Sequence, residues 1–433
     1  MELETQLEAL FKRTTHGIKF GLEIEQALLE QLGNPHRKIP CVHVAGTNGK
    51  GSVCAMIESV LRAAGCKTGL YTSPHLVRVN ERIKISGISI SDSELQEVLN
   101  RVVEADDALV KQQENRPSTF FELLTAMAFY YFARSGLDIA VLETGMGGRL
   151  DATNVVVPVV SVITRLDIEH TAYLGNTLAE IAAEKCGIIK PGRPVISIEQ
   201  DEEALEVIQR IATERRSRLI LADESVTVRR ISQTWAGQKI KIQTANADYP
   251  QALLPLLGRY QLENAMLAVA ALECVAEESG VPMDEKAVVA GLESVRWPGR
   301  CQLLSEKPVV LLDVAHNPNG ARALAGCLKE LKKKKDVGLV AGLLADKDCR
   351  GFIKALAPLV KKCWAVPIQN ERSMNLQDLV ACLRAGRVDV KGCPLAEALR
   401  EAKSWALEND AMVCIAGSLF LAGEVLQIEG VEL

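Results

Sequence analysis

The chain has 433 residues, of which 48% are hydrophobic and 24% charged, and its formal net charge is −5. This length predicts two or three domains with substantial cores. The acidic balance argues against a nucleic-acid-binding surface, which normally needs a basic excess, and no apolar run approaches the roughly 20 residues of a membrane span. The twelve cysteines are scattered and include no CxxC pair, and Cys41, Cys54, Cys66 and Cys414 lie in apolar segments, as reduced core thiols do. The charged, amphipathic N-terminus does not read as a signal peptide, and we expect a soluble, cytoplasmic protein.

Two short helices are predicted before residue 39, and the first chemical signal follows them. Residues 39–57 read as a Val-rich strand, a glycine-rich turn and a helix, IPCVHVAGTNGKGSVCAMI. Such a turn lets backbone N–H groups approach phosphate oxygens, and the helix N-terminus adds partial positive charge. Lys50 can reach terminal phosphates, and Ser52 or Thr47 can serve a metal ion. Gly51 departs from the usual P-loop pattern, but the segment still predicts a nucleoside triphosphate site.

Further candidate residues follow the carboxyl ends of predicted strands. The strands and the side chains behind them are 67–71 before Ser73, 137–142 before Glu143, and 159–164 before His170. Ligands of open α/β sheets bind at this end of the strands. A carboxylate and a hydroxyl there suit Mg²⁺, which prefers oxygen ligands. A solvated glutamate and an ordinary loop histidine are the alternatives, but their common placement favours one shared site.

Lys185 lies in the apolar stripe of the helix predicted over 177–189. Leu178, Ile181 and Ala182 occupy the same face at helical spacing,. The lysine either extends along the core to water or points into the active site, where burial would lower its pKa. In the second case, a neutral amine can react with CO₂ to give a carbamate. The residues alone favour the first interpretation.

Two other helix starts carry side chains with an open interpretation. Ser118 or Thr119 is a plausible N-cap, and the adjacent Phe120 and Phe121 either belong to the core or face a flat ligand ring. Asn264, near the start of a long Ala-rich helix, either caps that helix or hydrogen-bonds a base.

The segment Trp297-Pro298-Gly299-Arg300 stops regular structure and predicts a domain boundary,. We therefore predict an ATP-binding domain with a short N-terminal helical segment over 1–296, and a C-terminal α/β domain over 297–433. Candidate strands of the second domain are 309–314, 337–343, 363–367 and 412–416. The predicted fold class is α/β, with a P-loop-type, mostly parallel sheet domain followed by a smaller Rossmann-like domain.

An ordered set of motifs gives the most specific signal in the chain. From about residue 43 to 318 these are GTNGKGS, TSPHL, NER, TFFELLT, ETGMGGRLDATN, EHTAYLG, EKCGIIKPG, GRYQLENA, WPGR and DVAHNP. In this set the chain resembles the bacterial bifunctional type of the folylpolyglutamate synthase/dihydrofolate synthase family, within the Mur ligase superfamily. It departs from the family pattern at Glu169, Val314 and Cys186, where aspartate, glycine and alanine are usual. None of these departures removes a required functional group.

The resemblance implies an ATP-dependent amide ligase of folate biosynthesis and polyglutamylation. Such an enzyme adds L-glutamate to dihydropteroate, to the glutamate tail of reduced folates, or to both, and bifunctionality is the favoured choice. The γ-phosphate passes to the substrate carboxylate, and the glutamate amine attacks the resulting acyl phosphate. The implied cofactors are ATP, two Mg²⁺ ions and a carbamylated Lys185. The implied assembly is a monomer that binds only small molecules, neither nucleic acid nor membrane.

The resemblance also implies roles for individual residues. The implied phosphate contacts are Asn48, Gly49, Lys50, Gly51 and Ser52. Further ATP contacts are Asn264, Arg300 and Asp313, and the metal ligands are Ser73, Glu143 and His170. The substrate contacts are Arg82, Thr119, Phe120, Phe121, Arg149, Leu150, Asp151 and Ser418. The catalytic residues are Lys50, Lys185, Asp313 and His316, with His316 and Ser418 near the incoming glutamate.

Two other classes of protein share parts of this pattern. A Mur-type peptidoglycan ligase has the same ATP loop, but it normally carries a further N-terminal domain for a nucleotide-sugar, and only about forty residues precede the loop here. A non-ligase P-loop ATPase that couples hydrolysis to partner binding would predict a basic or exposed apolar surface. The composition indicates neither surface, so both classes remain alternatives to the folate ligase.

Overall fold

The computed structural model describes residues 3–13, 21–113, 117–331 and 335–431. The helices are α1 Leu3–Lys12, α2 Glu23–Gln31, α3 Lys50–Ala63, α4 Asp92–Gln113, α5 Phe120–Ser135, α6 Thr171–Leu174, α7 Leu178–Lys185, α8 Glu202–Glu214, α9 Ala222–Ser225, α10 Tyr260–Ser279, α11 Glu285–Ser294, α12 Pro318–Leu331, α13 Cys349–Leu356, α14 Leu376–Arg384, α15 Leu395–Glu408 and α16 Leu419–Ile428.

The strands alternate with these helices through most of the chain. They are β1 Cys41–Ala45, β2 Thr68–Tyr71, β3 Ile83–Ile85, β4 Ile88–Ser89, β5 Ile139–Glu143, β6 Val160–Ile163, β7 Val195–Ser197, β8 Leu219–Leu221, β9 Val226–Thr234, β10 Gly237–Thr244, β11 Ala252–Leu254, β12 Gln302–Glu306, β13 Val309–Leu312, β14 Val337–Ala341, β15 Val360–Ala365, β16 Asp389–Gly392 and β17 Met412–Ala416.

The N-terminal sheet has the strand order β4-β3-β2-β5-β1-β6-β7-β8. All of its pairings are parallel except those of the edge strands β3 and β4. Strand β1 lies between β5 and β6, and every residue of β1 is buried, as expected for a central parallel strand covered on both faces. The loops that follow β1, β2, β5 and β6 therefore meet at one edge of the sheet.

Helices cover both faces of this sheet. On one face, α3 packs against α10 and α11 through Val53, Ile57 and Val60, the positions that the helical pattern predicted. On the other face, α2, α4 and α5 form a second core. Helices α10 and α11 thus pack against the strand–turn–helix unit, and its glycine-rich turn lies at the carboxyl edge of the sheet.

The C-terminal sheet has the strand order β12-β13-β17-β14-β15-β16, and only the β12–β13 pairing is antiparallel. Helices α12, α13 and α14 cover one face, and α15 and α16 cover the other. A separate antiparallel sheet, β11-β10-β9, stands between the two larger sheets along the chain. The predicted fold class, a mostly parallel α/β domain followed by a second α/β sheet, is confirmed.

One local expectation from the sequence is wrong. The helix predicted over 177–189 stops being α-helical at Lys185 and continues as a 3₁₀ turn over Cys186–Ile188. Cys41, Cys54, Cys66 and Cys414 are free thiols, as predicted, but Cys349 and Cys382 form a disulfide between α13 and α14 that the sequence did not predict. Their Cα atoms lie 6.5 Å apart, a spacing that a disulfide can bridge and that the 33-residue sequence separation does not indicate.

Within the described part of the chain, no helix is both long enough and apolar enough to cross a membrane.

Candidate active site

The glycine-rich turn adopts the conformation that an anion cradle needs. Gly46 and Gly49 have φ of 150° and 93°, in the region that favours glycine. A side chain at Gly49 would overlap the Asn264 amide, and one at Gly46 would overlap the Thr164 hydroxyl. Behind Gly49, the first-turn N–H groups of α3 have no carbonyl partner within the helix and are available to phosphate oxygens.

Gly51, the residue that departs from the usual P-loop pattern, has a structural explanation. A Cβ atom at this position would overlap the six-membered ring of the Trp297 indole. Trp297 belongs to the segment between the two large sheets, so this segment packs directly on the first turn of α3. The extra glycine makes that close approach possible.

Two lysine amines share one backbone carbonyl at the turn. Lys50 Nζ donates to Gly46 O at 3.0 Å and to Thr47 O at 3.3 Å, and Lys185 Nζ donates to Gly46 O at 2.8 Å. Lys185 is only 4% exposed, and its amine points to the glycine-rich turn rather than to water, which is the direction that the residues alone did not favour. Burial, and next the positive charge of Lys50, lower the pKa of Lys185 to about 7. The amine therefore has a large neutral fraction near pH 7.

Glu143 and Ser73 meet at the ends of β5 and β2. The Ser73 N–H donates to Glu143 Oε2 at 3.0 Å, and the carboxyl is 4% exposed. Burial raises the pKa of Glu143, while the positive charges of Lys50 and Arg300 oppose that rise. This buried carboxyl beside a serine offers the oxygen ligands that Mg²⁺ prefers.

His170 follows β6 and lies beside an acidic neighbour. His170 Nε2 is 3.9 Å from Glu169 Oε1, and His316 Nε2 is 4.0 Å from the same oxygen. Burial lowers the pKa of both histidines. Burial works to raise the pKa of Glu169, but the surrounding positive charges outweigh it and lower that pKa. Among the described residues, no three His, Cys, Asp or Glu side chains form a group that could hold a metal ion.

Arg82 and Phe120 are packed against protein groups. Arg82 Nε donates to His75 Nδ1 at 2.9 Å, and its guanidinium carbon lies 5.2 Å from the centre of the Phe120 ring. Phe120 also stacks on Phe11 at 4.9 Å. Burial, with the Arg82 charge as a second cause, lowers the pKa of His75 to about 3, so the histidine is a neutral acceptor. Phe121 instead lies against Gly145, at the start of the loop after β5.

Thr119 and Asp151 hold backbone in place. The Thr119 hydroxyl accepts from Glu122 N at 3.3 Å, and Thr119 N donates to Glu122 Oε2 at 2.7 Å, which makes a capping box for α5,. Asp151 Oδ2 accepts from Gly145 N and Met146 N, both at 2.9 Å, and burial raises the pKa of this carboxyl. Asp151 thus fixes the shape of the loop that follows Glu143.

The neighbours of Asp151 differ in their surroundings. Arg149 is exposed and donates to Glu184 Oε1 at 2.7 Å, and Leu150 is half-buried. The structure therefore places Arg149 on the outer side of the loop and Asp151 beneath it.

The predicted residues of the C-terminal sheet lie at its own carboxyl edge. Asp313 accepts from Cys301 N at 2.8 Å and from Ala315 N at 2.7 Å, and burial raises its pKa against the opposing charge of Arg300. Ser418 accepts from Phe420 N at 3.1 Å and caps α16. The positive charge of Arg300 opposes the rise in pKa of both Asp313 and Glu143.

His316 and Asn264 complete the predicted set. His316 Nδ1 lies 2.8 Å from Val314 O; a carbonyl can only accept, so Nδ1 carries the proton and Nε2 is an acceptor. Asn264 Nδ2 donates to Gln261 Oε1 at 2.9 Å, and the Asn264 carbonyl oxygen lies next to Gly49. The Asn264 side chain therefore packs against one side of the phosphate-binding turn.

Sequence reasoning missed three residues at this site. The positive charge of Lys347 lowers the pKa of both His170 and His316. Asp167 bonds both to Thr47 and to Asn319, which lies on the C-terminal side. Asp167 and Lys347 lie in loops without a periodic pattern and Asn319 lies in the first turn of α12, so only their positions just after a strand or at a helix start marked them.

The paired lysines, the buried carboxyl and the glycine-rich turn, faced by a second α/β sheet, define an ATP-dependent ligase. The chain matches the family model of the Mur ligase middle domain over residues 44–272, and that of the Mur ligase glutamate ligase domain over residues 299–419. The chain belongs to the folylpolyglutamate synthase/dihydrofolate synthase family of these ligases, as its relatives establish.

Three of these relatives illustrate the match. The dihydrofolate synthase/folylpolyglutamate synthase of Bacillus subtilis is 34% identical, with 96% of this chain and 94% of that protein covered. Mycobacterium tuberculosis folylpolyglutamate synthase complexed with ADP superposes with a TM-score of 0.93 at 33% identity, over 99% of this chain and 98% of that one. E. coli FolC in complex with DHPP and ADP gives a TM-score of 0.87 at 31% identity, over 99% and 97%.

Proposed function

We propose that this protein joins L-glutamate to dihydropteroate, to the glutamate tail of reduced folates, or to both, and converts ATP to ADP and phosphate in doing so. The family match supports the ligase class, and the relatives bound to ADP and DHPP support small-molecule substrates. The observation that carries the proposal is the pair of lysine amines, Lys50 and Lys185, on the Gly46 carbonyl beside the buried Glu143.

The first step is phosphoryl transfer to the acceptor. A carboxylate oxygen of the acceptor attacks the γ-phosphorus of ATP, the bond from that phosphorus to the β–γ bridging oxygen breaks, and ADP leaves. The Lys50 ammonium and the first-turn N–H groups of α3 neutralise the charge on the transferred group. Asn264 borders this turn, and we propose that Arg300 and Asp313, whose charges interact, contact the nucleotide from the C-terminal side.

The second step is amide formation. The glutamate amine attacks the acyl carbon, and phosphate leaves from the tetrahedral intermediate. His316 Nε2 is an unprotonated acceptor because Nδ1 donates to Val314 O, so it is placed to take the proton that the attacking ammonium must lose. Closure of the two domains excludes water from the acyl phosphate, and ATP hydrolysis without glutamate should be slow.

Ser73 and Glu143 would hold Mg²⁺, with His170 as a further predicted ligand. The Ser73 N–H already orients Glu143, and a carboxylate with a hydroxyl suits this hard cation. Bound Mg²⁺ supplies positive charge that offsets the negative charge of the phosphates.

Lys185 is proposed to be carbamylated. Its neutral amine attacks the carbon of CO₂, an N–C bond forms and one N–H proton leaves. The product is an anion, so the repulsion between two ammonium groups at Gly46 is replaced by attraction to Lys50. The depressed pKa, about 7, provides the neutral amine that this reaction needs.

The remaining proposals concern the pterin side, the domains and the assembly. We propose that the acceptor contacts Arg82, Phe121 and Leu150, with Arg149 and Thr119 nearby. We place the domain boundary between residues 296 and 297, in the gap between the two family matches. We propose a cytoplasmic monomer.

The first experiment measures ADP release and the mass of the amide product. Mg²⁺-ATP and glutamate are combined with dihydropteroate, tetrahydrofolate or a UDP-muramoyl peptide as acceptor. Turnover with both pterins establishes bifunctionality, and turnover with one assigns the enzyme to that step. Activity on the muramoyl peptide alone overturns the folate assignment. Lys50→Met should be inactive, and Lys38→Met, at an exposed lysine outside the site, is its matched control.

A further inference from the structure

We propose that Asn319 and Asp167 are positioning residues that transmit docking of the C-terminal domain to the phosphate-binding turn. The inference rests on the proposed ligase activity and adds to it the contact through which the two domains act together. Neither residue needs to touch substrate for this role.

The contact between them crosses the two halves of the molecule. Asn319, in the first turn of α12, donates its side-chain amide to the Asp167 carboxylate, although the residues are 152 positions apart. Both are half-buried, so water competes only partly for the bond. The other carboxylate oxygen of Asp167 accepts from Ile168 N at 2.8 Å, which fixes the orientation of the carboxylate.

The backbone of Asp167 is bonded in turn to the glycine-rich turn. Asp167 N donates to Thr47 Oγ1, and that hydroxyl donates to Asp167 O, both at 3.1 Å. The carbonyl of Arg165 accepts from the backbone N–H groups of Thr47 and Asn48, each at 3.1 Å. Four hydrogen bonds therefore join residues 165–170, the 165–170 loop, to the turn that is to hold the phosphates.

The far end of the 165–170 loop meets the C-terminal domain again. Glu169 lies 4.0 Å from His316 Nε2, and His316 and Asn319 flank the start of the same helix, α12. One short segment is thus hydrogen-bonded to α12 through Asn319 and to the glycine-rich turn at Thr47 and Asn48, and its Glu169 lies near His316, just before α12. A displacement of α12 must either break these contacts or move the turn, because hydrogen bonds tolerate only small changes in distance and angle.

The connection predicts how loss of the Asn319–Asp167 hydrogen bond would change the reaction. With α12 docked, the N–H groups of Thr47 and Asn48 point to Arg165, and those of the α3 N-terminus remain for phosphate. When the Asn319–Asp167 hydrogen bond is lost, the acyl phosphate forms in a site that the C-terminal domain no longer closes reliably. Water then competes with the glutamate amine for the acyl phosphate. The expected symptom is uncoupling, in which more ADP is released than amide is formed.

The test exchanges the two side chains. Asn319→Asp places two carboxylates in contact, and we expect about a tenfold fall in kcat for amide formation and a rise in the ratio of ADP to amide, while KM for ATP changes by less than about twofold. The double variant D167N/N319D restores an amide–carboxylate pair in the opposite direction and should recover most of the coupling. Arg322→Ala, an exposed change on the same helix, is the matched control and should match the wild type.

The outcomes separate this inference from the proposed function. If the wild type forms no amide with any pterin, the proposed function fails. If the wild type is active and Asn319→Asp keeps its ratio of ADP to amide, or if the exchanged pair is no better than the single variant, the positioning role is overturned. A thermal melt of each variant identifies loss of fold, and the exchanged pair remains informative where the single variant is unstable.

Discussion

The carboxyl edges of the two sheets both carry polar side chains, and they use them differently. At the N-terminal edge, Lys50 and Lys185 place two amines on one carbonyl, and the buried Glu143 has a single backbone donor from Ser73. At the C-terminal edge, Asp313 accepts from two backbone N–H groups and Ser418 caps a helix.

The polar side chains of the first edge therefore supply charge, whereas those of the second edge hold the backbone of their loops. The first edge brings two lysine amines together on one carbonyl, and the negative charge of a bound phosphate would favour their protonated forms. At the second edge, Asp313 and Ser418 accept hydrogen bonds from the backbone of nearby loops. These bonds hold the loops in place, including the one that carries His316. We therefore expect phosphate chemistry to depend on the first edge and the geometry of the incoming amine to depend on the second.

The largest effect should come from removing the charge that faces the phosphates. Lys50→Ala should lower kcat by about 10³-fold, roughly 4 kcal/mol of transition-state stabilisation. Steady-state ADP release with a saturating pterin measures it. The unfolding midpoint in urea should stay within the range of the Lys38→Ala control; a matching loss of stability would make the effect structural.

The second effect concerns Lys185 and pH. Its pKa is about 7 in the folded protein against an ordinary 10.5, so between these values the unfolded chain binds more protons and stability rises with pH. From pH 7 to pH 9, the wild type should gain about 2 kcal/mol in free energy of unfolding relative to Lys185→Met. Urea titrations in CO₂-free buffer measure it. Equal pH dependence in both proteins would contradict the buried, depressed amine.

A third prediction tests the packing of Trp297 on the turn. Gly51→Ala should overlap the indole and cost about 1–3 kcal/mol of stability, as overpacking does. Adding Trp297→Leu should recover part of that loss, and Trp297→Leu alone should weaken ATP binding only modestly. Thermal melts and nucleotide titrations check this. No recovery in the double variant would mean that another contact limits residue 51.

The smallest effect should come from the cap of α5. Thr119→Ala removes the acceptor for Glu122 N and should lower stability by about 1 kcal/mol. Thr119→Ser keeps the hydroxyl and should be neutral. An increase in KM for the pterin substrate with both variants would favour a direct substrate contact over the capping role.

Much of the fold follows from apolar runs and stop signals. The central strands β1, β5 and β17 were predicted nearly to their ends because buried parallel strands are continuous apolar runs. Strands β12 and β16 were not predicted; they are edge strands with partly exposed, mixed side chains. Pairing with a neighbour, rather than their own pattern, makes them strands.

The site was predictable where chemistry follows a strand. Lys50, Glu143 and Ser73 could be proposed as candidates because each lies at or just after the carboxyl end of a buried strand, and these ends meet at one edge. Lys347 and Asn319 were not found, because their partners come from the other half of the chain and leave no spacing in the sequence. The direction in which the Lys185 amine points could not be predicted either, because an apolar stripe does not show whether the amine reaches water or Gly46.

The strand order of the N-terminal sheet has a consequence for how the protein folds. Strand β1 is paired with β5 and β6, which lie about a hundred residues further along the chain. The nucleotide pocket therefore exists only after contacts of high sequence separation have formed, and such contacts form slowly. ATP can then stabilise the complete sheet by mass action, but it cannot guide early folding. We therefore expect a chain that ends before residue 163 not to bind the nucleotide.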